Sequence, residues 1–129
     1  DLDAAGAADF CKWVEDVLVD VINMTKEKME KYYDEHVTDT MCRNELYKKY
    51  YMDTIIEDTS AVAGLELIRR IVGMANVKDI TTIADEAKRA RAEKICITAA
   101  IDFIKNRSDK KCGKCFLKTL KDAIAEVDA

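Results

Sequence analysis

Five cysteines carry most of the chemistry that this chain of 129 residues could offer: Cys11, Cys42, Cys96, Cys112 and Cys115. The last two stand three apart in "SDKKCGKCFLKTL", ahead of an amphipathic run. Three chemistries use such a spacing. At a helix N-terminus that follows a strand, the dipole lowers the first thiol's pKa and makes a redox centre. With a second CxxC or paired histidines, the sulfurs hold zinc tetrahedrally. With neither, each sulfur can bond a cysteine elsewhere in the chain. No strand pattern precedes Cys112, the chain has one histidine, and the other cysteines are scattered singly. The structural reading is therefore preferred, with two disulfides and one odd thiol.

Other chemical motifs are missing. No Gly-rich phosphate loop, GxSxG elbow, HExxH helix or EF-hand loop occurs. His36, in "YYDEHV", reads as a helix C-terminal residue facing the dipole. Acidic pairs such as Glu57/Asp58 and Asp85/Glu86 sit among Lys and Arg, as on solvated helix faces. The sequence thus predicts a non-catalytic protein with no cofactor and no metal.

The elements that must position the cysteines are helices. Proline is absent and glycine occurs four times, too few turn formers for a β-rich domain. Apolar spacing at i, i+3/i+4 and i+7 predicts a first helix over about Ala7 to Val37, with Phe10, Val14, Val17, Leu18, Val21 and Met24 inward. A second follows from Asp39 to Glu57. A third, capped by Thr59 or Ser60, runs to about Ala75. A fourth, capped by Asp79, runs to about Lys105, and a last segment starts at Ser108. The expected fold is all-α, one domain over residues 1–129, a bundle of about five helices stapled by two disulfides. Five up-and-down helices would bring Cys11, Cys96, Cys112 and Cys115 to one end and leave Cys42 as the free thiol.

Net charge is -4, so nucleic acid is not an expected partner. No apolar run reaches the roughly 18 residues that span a bilayer, and no membrane partner is expected. Five cysteines, with sequons at Asn23 and Asn106, predict a secreted glycoprotein, and the opening at Asp1 fits a removed leader. A free thiol allows either a monomer or a thiol-linked dimer.

All five tyrosines fall within residues 32–51. Tyr32, Tyr33, Tyr47, Tyr50 and Tyr51, with Lys48 among them, make an aromatic corner between the first two helices, the expected surface for binding another protein. The alternative is a hydrophobic-ligand carrier, its cavity lined by Met24, Met29, Met41, Met52 and Met74 with Phe10, Trp13 and Phe103.

The thirty residues between Cys11 and Cys42 suit insect odorant-binding proteins, but no cysteine stands at Leu46 to complete that pattern. "FCKWVEDVLVDV" looks like a saposin opening helix, without the six cysteines of that family. Length, the proline-free helical chain and "KKCGKCFLKTLKDAI" resemble small secreted salivary proteins of blood-feeding insects, the anopheline anophensin/albicin group. That resemblance implies inhibition of host complement or contact/coagulation cascades by binding a host plasma protein, and it maps no functional residue onto this chain.

Overall fold

Side-chain oxygens decide where two of the long helices begin. In the computed structural model, which describes residues 4–74 and 77–129, Asn44 Oδ1 accepts from the backbone N–H groups of Leu46 (2.9 Å) and Tyr47 (3.4 Å) and starts one helix. Asp85 Oδ1 does the same for Ala87 (2.9 Å) and Lys88 (3.1 Å). Five α-helices and no strand are found among the described residues: α1 (Ala4–His36), α2 (Glu45–Val72), the single turn α3 (Lys78–Thr81), α4 (Glu86–Lys105) and α5 (Gly113–Asp128). A short 3-10 turn, Arg107–Asp109, precedes α5.

The all-helical expectation holds, but the divisions move. The second and third predicted helices are one, α2. No internal cap forms, because the helix runs on through both positions and its N–H groups there keep their helical partners. The Thr59 hydroxyl donates to the Ile55 carbonyl (2.8 Å) and the Ser60 hydroxyl to the Phe103 carbonyl (2.9 Å). Asp39, the expected start of the second helix, instead makes an Asx turn to the Met41 N–H (2.8 Å). Asp79 lies inside α3, and Ser108 lies in the 3-10 turn. The expected helix end near Ala75 falls outside the described residues.

Contacts fix the topology. Ser60 meets Phe103 and Gly64 meets Ala100, so α2 and α4 are antiparallel. Phe116 meets Phe103 while Asp128 pairs with Arg91, which makes α5 antiparallel to α4. Gly113 touches Val19 while Lys121 pairs with Glu15, so α5 also runs against α1. The four long helices run up, down, up and down, and α1 leans mainly on α5. The core is Ile56, Ala99, Phe103, Phe116 and Ala123, supported by Ile22, Leu67, Ile95 and Leu120.

This topology removes the disulfide staples. All five cysteines are free thiols. With one return helix where two were expected, α5 begins at the level of Val19 and Asn23, part-way up α1. Eight residues of helix at about 1.5 Å rise put Cys11 roughly 12 Å below that level. Cys96 lies on the stretch of α4 between Arg91 and Asp102, which pair with Asp128 and Thr119, and so faces the later part of α5. Neither reaches Cys112 or Cys115. Those two point at each other, with their sulfurs 3.2 Å apart.

The expected inward stripe of α1 is also corrected. Of its members Phe10 is 54% exposed and Val21 55%, Val14, Val17 and Met24 are exposed with them, and Leu18 alone is half-buried. Ile22, on the neighbouring face, reaches the core instead.

Two packing constraints are strict. A Cβ on Gly64 would stand 2.7 Å from the Ala100 carbonyl oxygen, and one on Gly113 would stand 2.3 Å from the Val19 carbonyl oxygen. Gly64→Ala should lower stability by about 2 kcal/mol in urea unfolding, since backbone must move to admit the methyl group.

Polar packing is equally specific around Asp102. Its carboxylate accepts from Lys110 Nζ (2.6 Å), Asn106 Nδ2 (2.6 Å) and Thr119 Oγ1 (2.7 Å). Burial alone would raise its pKa, but these three donors and the Lys110 charge outweigh it and hold the carboxyl at about 2. A depressed carboxylate stabilises the fold above its unfolded pKa, and that stabilisation is lost as pH falls from 3.8 through about 2. Its side chain is 34% exposed, so solvent screening limits the contribution to about 1 kcal/mol. Asp102→Asn also leaves the 7% exposed Lys110 without its counter-charge. That variant should lose about 2 kcal/mol at pH 7, and its acid unfolding curve between pH 4 and 2 should flatten, as followed by circular dichroism.

Candidate functional site

The aromatic corner expected from the sequence exists where α1 ends and α2 begins. Tyr33 Oη donates to the Cys42 carbonyl at 2.7 Å and pins the 37–44 turn onto α1. Arg43 Nε donates to the Val37 carbonyl (2.8 Å) and closes the turn on itself. Helical spacing then stacks the rings. Tyr47 and Tyr51, one turn apart on α2, are nearly parallel at 7° with centroids 6.4 Å apart, and Tyr33 lies 5.7 Å from Tyr51. At the end of α1, His36 stacks on Tyr32 at 3.9 Å and shares a 3.0 Å hydrogen bond with the Tyr32 carbonyl, as a last-turn histidine should.

Between the helices lies a groove of about 620 Å³. Its lining is mostly aromatic and apolar, from Tyr32, Tyr33, Tyr47, Tyr51, Met29, Met52 and Val37, with Thr25, Lys28 and Cys42 beside them. The Tyr33 hydroxyl is committed to Cys42. Burial, with the Cys42, Tyr47, Tyr51 and Asp39 charges, pushes its pKa up, so Tyr33 stays a neutral donor. The groove offers surface to flat or apolar groups and holds no acid–base pair. Among the described residues no set of three His, Cys, Asp or Glu groups is placed to hold a metal ion.

Not every residue expected at this corner joins the groove. Tyr50 is 65% exposed and turns away. Lys48 pairs with Asp34 at 2.6 Å on another face, where that hydrogen bond raises its pKa. The carrier cavity is not assembled either: Met29 and Met52 line the groove, Met24, Met41, Met74, Phe10 and Trp13 are exposed, and Phe103 is in the core. Sequence reasoning left Val37 and Cys42 out of the site. Met29 and Tyr33 are one helical turn apart, a signal that could have put Met29 on the wall with Tyr33. Nothing local marks Cys42.

Both sequon asparagines have structural partners. Asn23 Oδ1 accepts from the Gly113 N–H (2.9 Å). Asn106 caps α4 and uses its amide nitrogen, the atom that would carry a glycan, on Asp102.

Comparison with known proteins redirects the functional reading. Methylthioribose kinase 1 of Oryza sativa subsp. japonica is 27% identical over 110 residues, covering 74% of this chain and 25% of the kinase. Methylthioribose kinase of Bacillus pumilus is 29% identical over 90 residues, covering 70% of this chain and 23% of the kinase. That of Escherichia coli is 26% identical over 109 residues, covering 77% and 26%. The chain is similar to methylthioribose kinases. It spans about a quarter of the length of these relatives. No family model matches it, and no solved structure matches it significantly.

These similarities overturn the resemblance to anopheline salivary proteins, and with it the secreted cascade inhibitor, its ligand-carrier alternative and the non-enzymatic reading. The relatives are named as kinases and are enzymes. Secretion had rested on cysteines read as disulfides and on the two sequons. The thiols are free, so the disulfide argument for that compartment falls with the resemblance.

The groove gives a direct test of how the turn is held. Tyr33→Phe should destabilise the fold by about 1 kcal/mol, through the lost hydrogen bond to Cys42. Alkylation of Cys42 by iodoacetamide should speed up severalfold, while the rate at Cys96 stays constant. Equal rates at Cys42 in both proteins would show that the hydroxyl does not hold the turn.

Proposed function

We propose that this chain is a helical part of a phosphotransferase of the methylthioribose kinase type. The observation that carries the reading is similarity to named methylthioribose kinases across about three quarters of the chain. One property of the chain fits it. The α1 stripe of Phe10, Trp13, Val14, Val17 and Val21 is exposed on one helix, and an apolar surface of that kind suits contact with further protein structure.

Phosphoryl transfer depends on positioning and on stabilising charge more than on covalent chemistry by the protein. A rigid helical layer serves the positioning. The test is transfer of the γ-phosphate of ATP to methylthioribose by the gene product that carries this chain. Phosphorylated methylthioribose should accumulate in step with ADP. A protein that is folded by circular dichroism yet transfers no phosphate to methylthioribose overturns the proposal.

A further inference from the structure

The turn between α4 and α5 brings two nucleophiles into contact at a place where four elements meet. Cys112 is the N-cap of α5 and Cys115 lies in its first turn, both partly buried, with sulfurs 3.2 Å apart. That is about 1.2 Å beyond a disulfide bond length. The turn is firmly held. Gly113, between the two cysteines, donates its N–H to Asn23 Oδ1 on α1 at 2.9 Å. Lys110 is tied to Asp102 on α4, and Lys111 to Glu57 on α2. The sulfurs are therefore positioned by the fold and do not meet by chance motion of a loop.

We infer that Cys112 and Cys115 form a reversible dithiol–disulfide centre that exchanges with low-molecular-weight disulfides of the glutathione type. Cys115 is the attacking thiolate. Its sulfur bonds one sulfur of the small disulfide, RSSR, and RS⁻ leaves. Cys112 then loses its proton and its sulfur attacks Cys115 Sγ, which releases the second RS⁻. The protein dithiol loses two electrons and two protons, and RSSR gains them as two RSH.

The surroundings of the thiols separate them by reactivity. Burial pushes the Cys115 thiol up, but hydrogen bonds from the Cys112 thiol and from the Lys111 and Cys112 backbone, with the Lys110 charge, bring it below its ordinary value. Burial and the Glu93 charge push Cys96 the other way. Thiolate fraction governs attack on a disulfide, so Cys115 reacts ahead of Cys96. A bond between residues three apart closes a very small loop and adds little stability, which leaves it easy to reduce.

The experiment equilibrates the chain with glutathione and glutathione disulfide at graded ratios, quenches with acid and maps the cysteines by peptide mass spectrometry. The expected product is an intramolecular Cys112–Cys115 link, two hydrogens lighter and fully reversed by excess glutathione. Cys112→Ser keeps a good N-cap residue and should trap glutathione on Cys115 at least tenfold faster than on Cys96. The inference is overturned if no Cys112–Cys115 link appears at any ratio, or if either residue pairs with Cys11 or Cys96. Trapping on Cys115 no faster than on Cys96 overturns it as well. Should Cys112→Ser fail to fold, the wild-type map decides alone.

Discussion

The fold depends on how closely α2 and α4 approach. Ser60 and Gly64, one turn apart on α2, are buried against Ala99, Ala100 and Phe103 of α4. Small side chains let the backbones meet, and the Ser60 hydroxyl then reaches the Phe103 carbonyl across the seam. With α4 seated, Phe103 meets Phe116 at a centroid distance of 5.3 Å and gives α5 its place. A larger residue at position 64 would separate the helices and take the core's geometry with it.

Charge completes what the small residues begin. The Asp102 carboxylate gathers Lys110, Asn106 and Thr119 from three places in the sequence. Asp53 and Glu57 on α2 hold Lys111, and Asp53 also faces Lys49 of its own helix and Lys26 of α1. The lysine hydrogen bond chiefly, with the neighbouring positive charges, lowers the Asp53 pKa against the effect of burial. The short segment from Lys110 to Gly113 thereby joins all four long helices. It is this junction that holds the two sulfurs together.

The α1 stripe and Val62, Leu65 and Val72 of α2 expose large apolar surface. A hydrophobic stripe in a sequence marks an amphipathic helix but does not say which of its residues reach the core. For α1 the stripe read as core was Phe10 to Met24, whereas the residue that reaches the core is Ile22.

How much was legible follows from the range of each interaction. Helical content was determined by local properties: no proline, few glycines and a 3.6-residue apolar period. The tyrosine corner was legible too, because Tyr32, Tyr33, Tyr47 and Tyr51 lie close along the chain on either side of one turn. The merging of two expected helices was not, since the partner that buries Ser60 in a continuous helix, the Phe103 carbonyl, lies 43 residues away. Asp102 carried a faint signal as a lone acid within "AAIDFIK", but only Asn106, the helix cap, is a local partner; Lys110 and Thr119 lie beyond the helix. The fate of the cysteines belonged to tertiary structure alone. Their spacing was compatible with bonds outward or inward, and only the antiparallel order of four long helices placed Cys11 and Cys96 out of reach and left Cys112 facing Cys115.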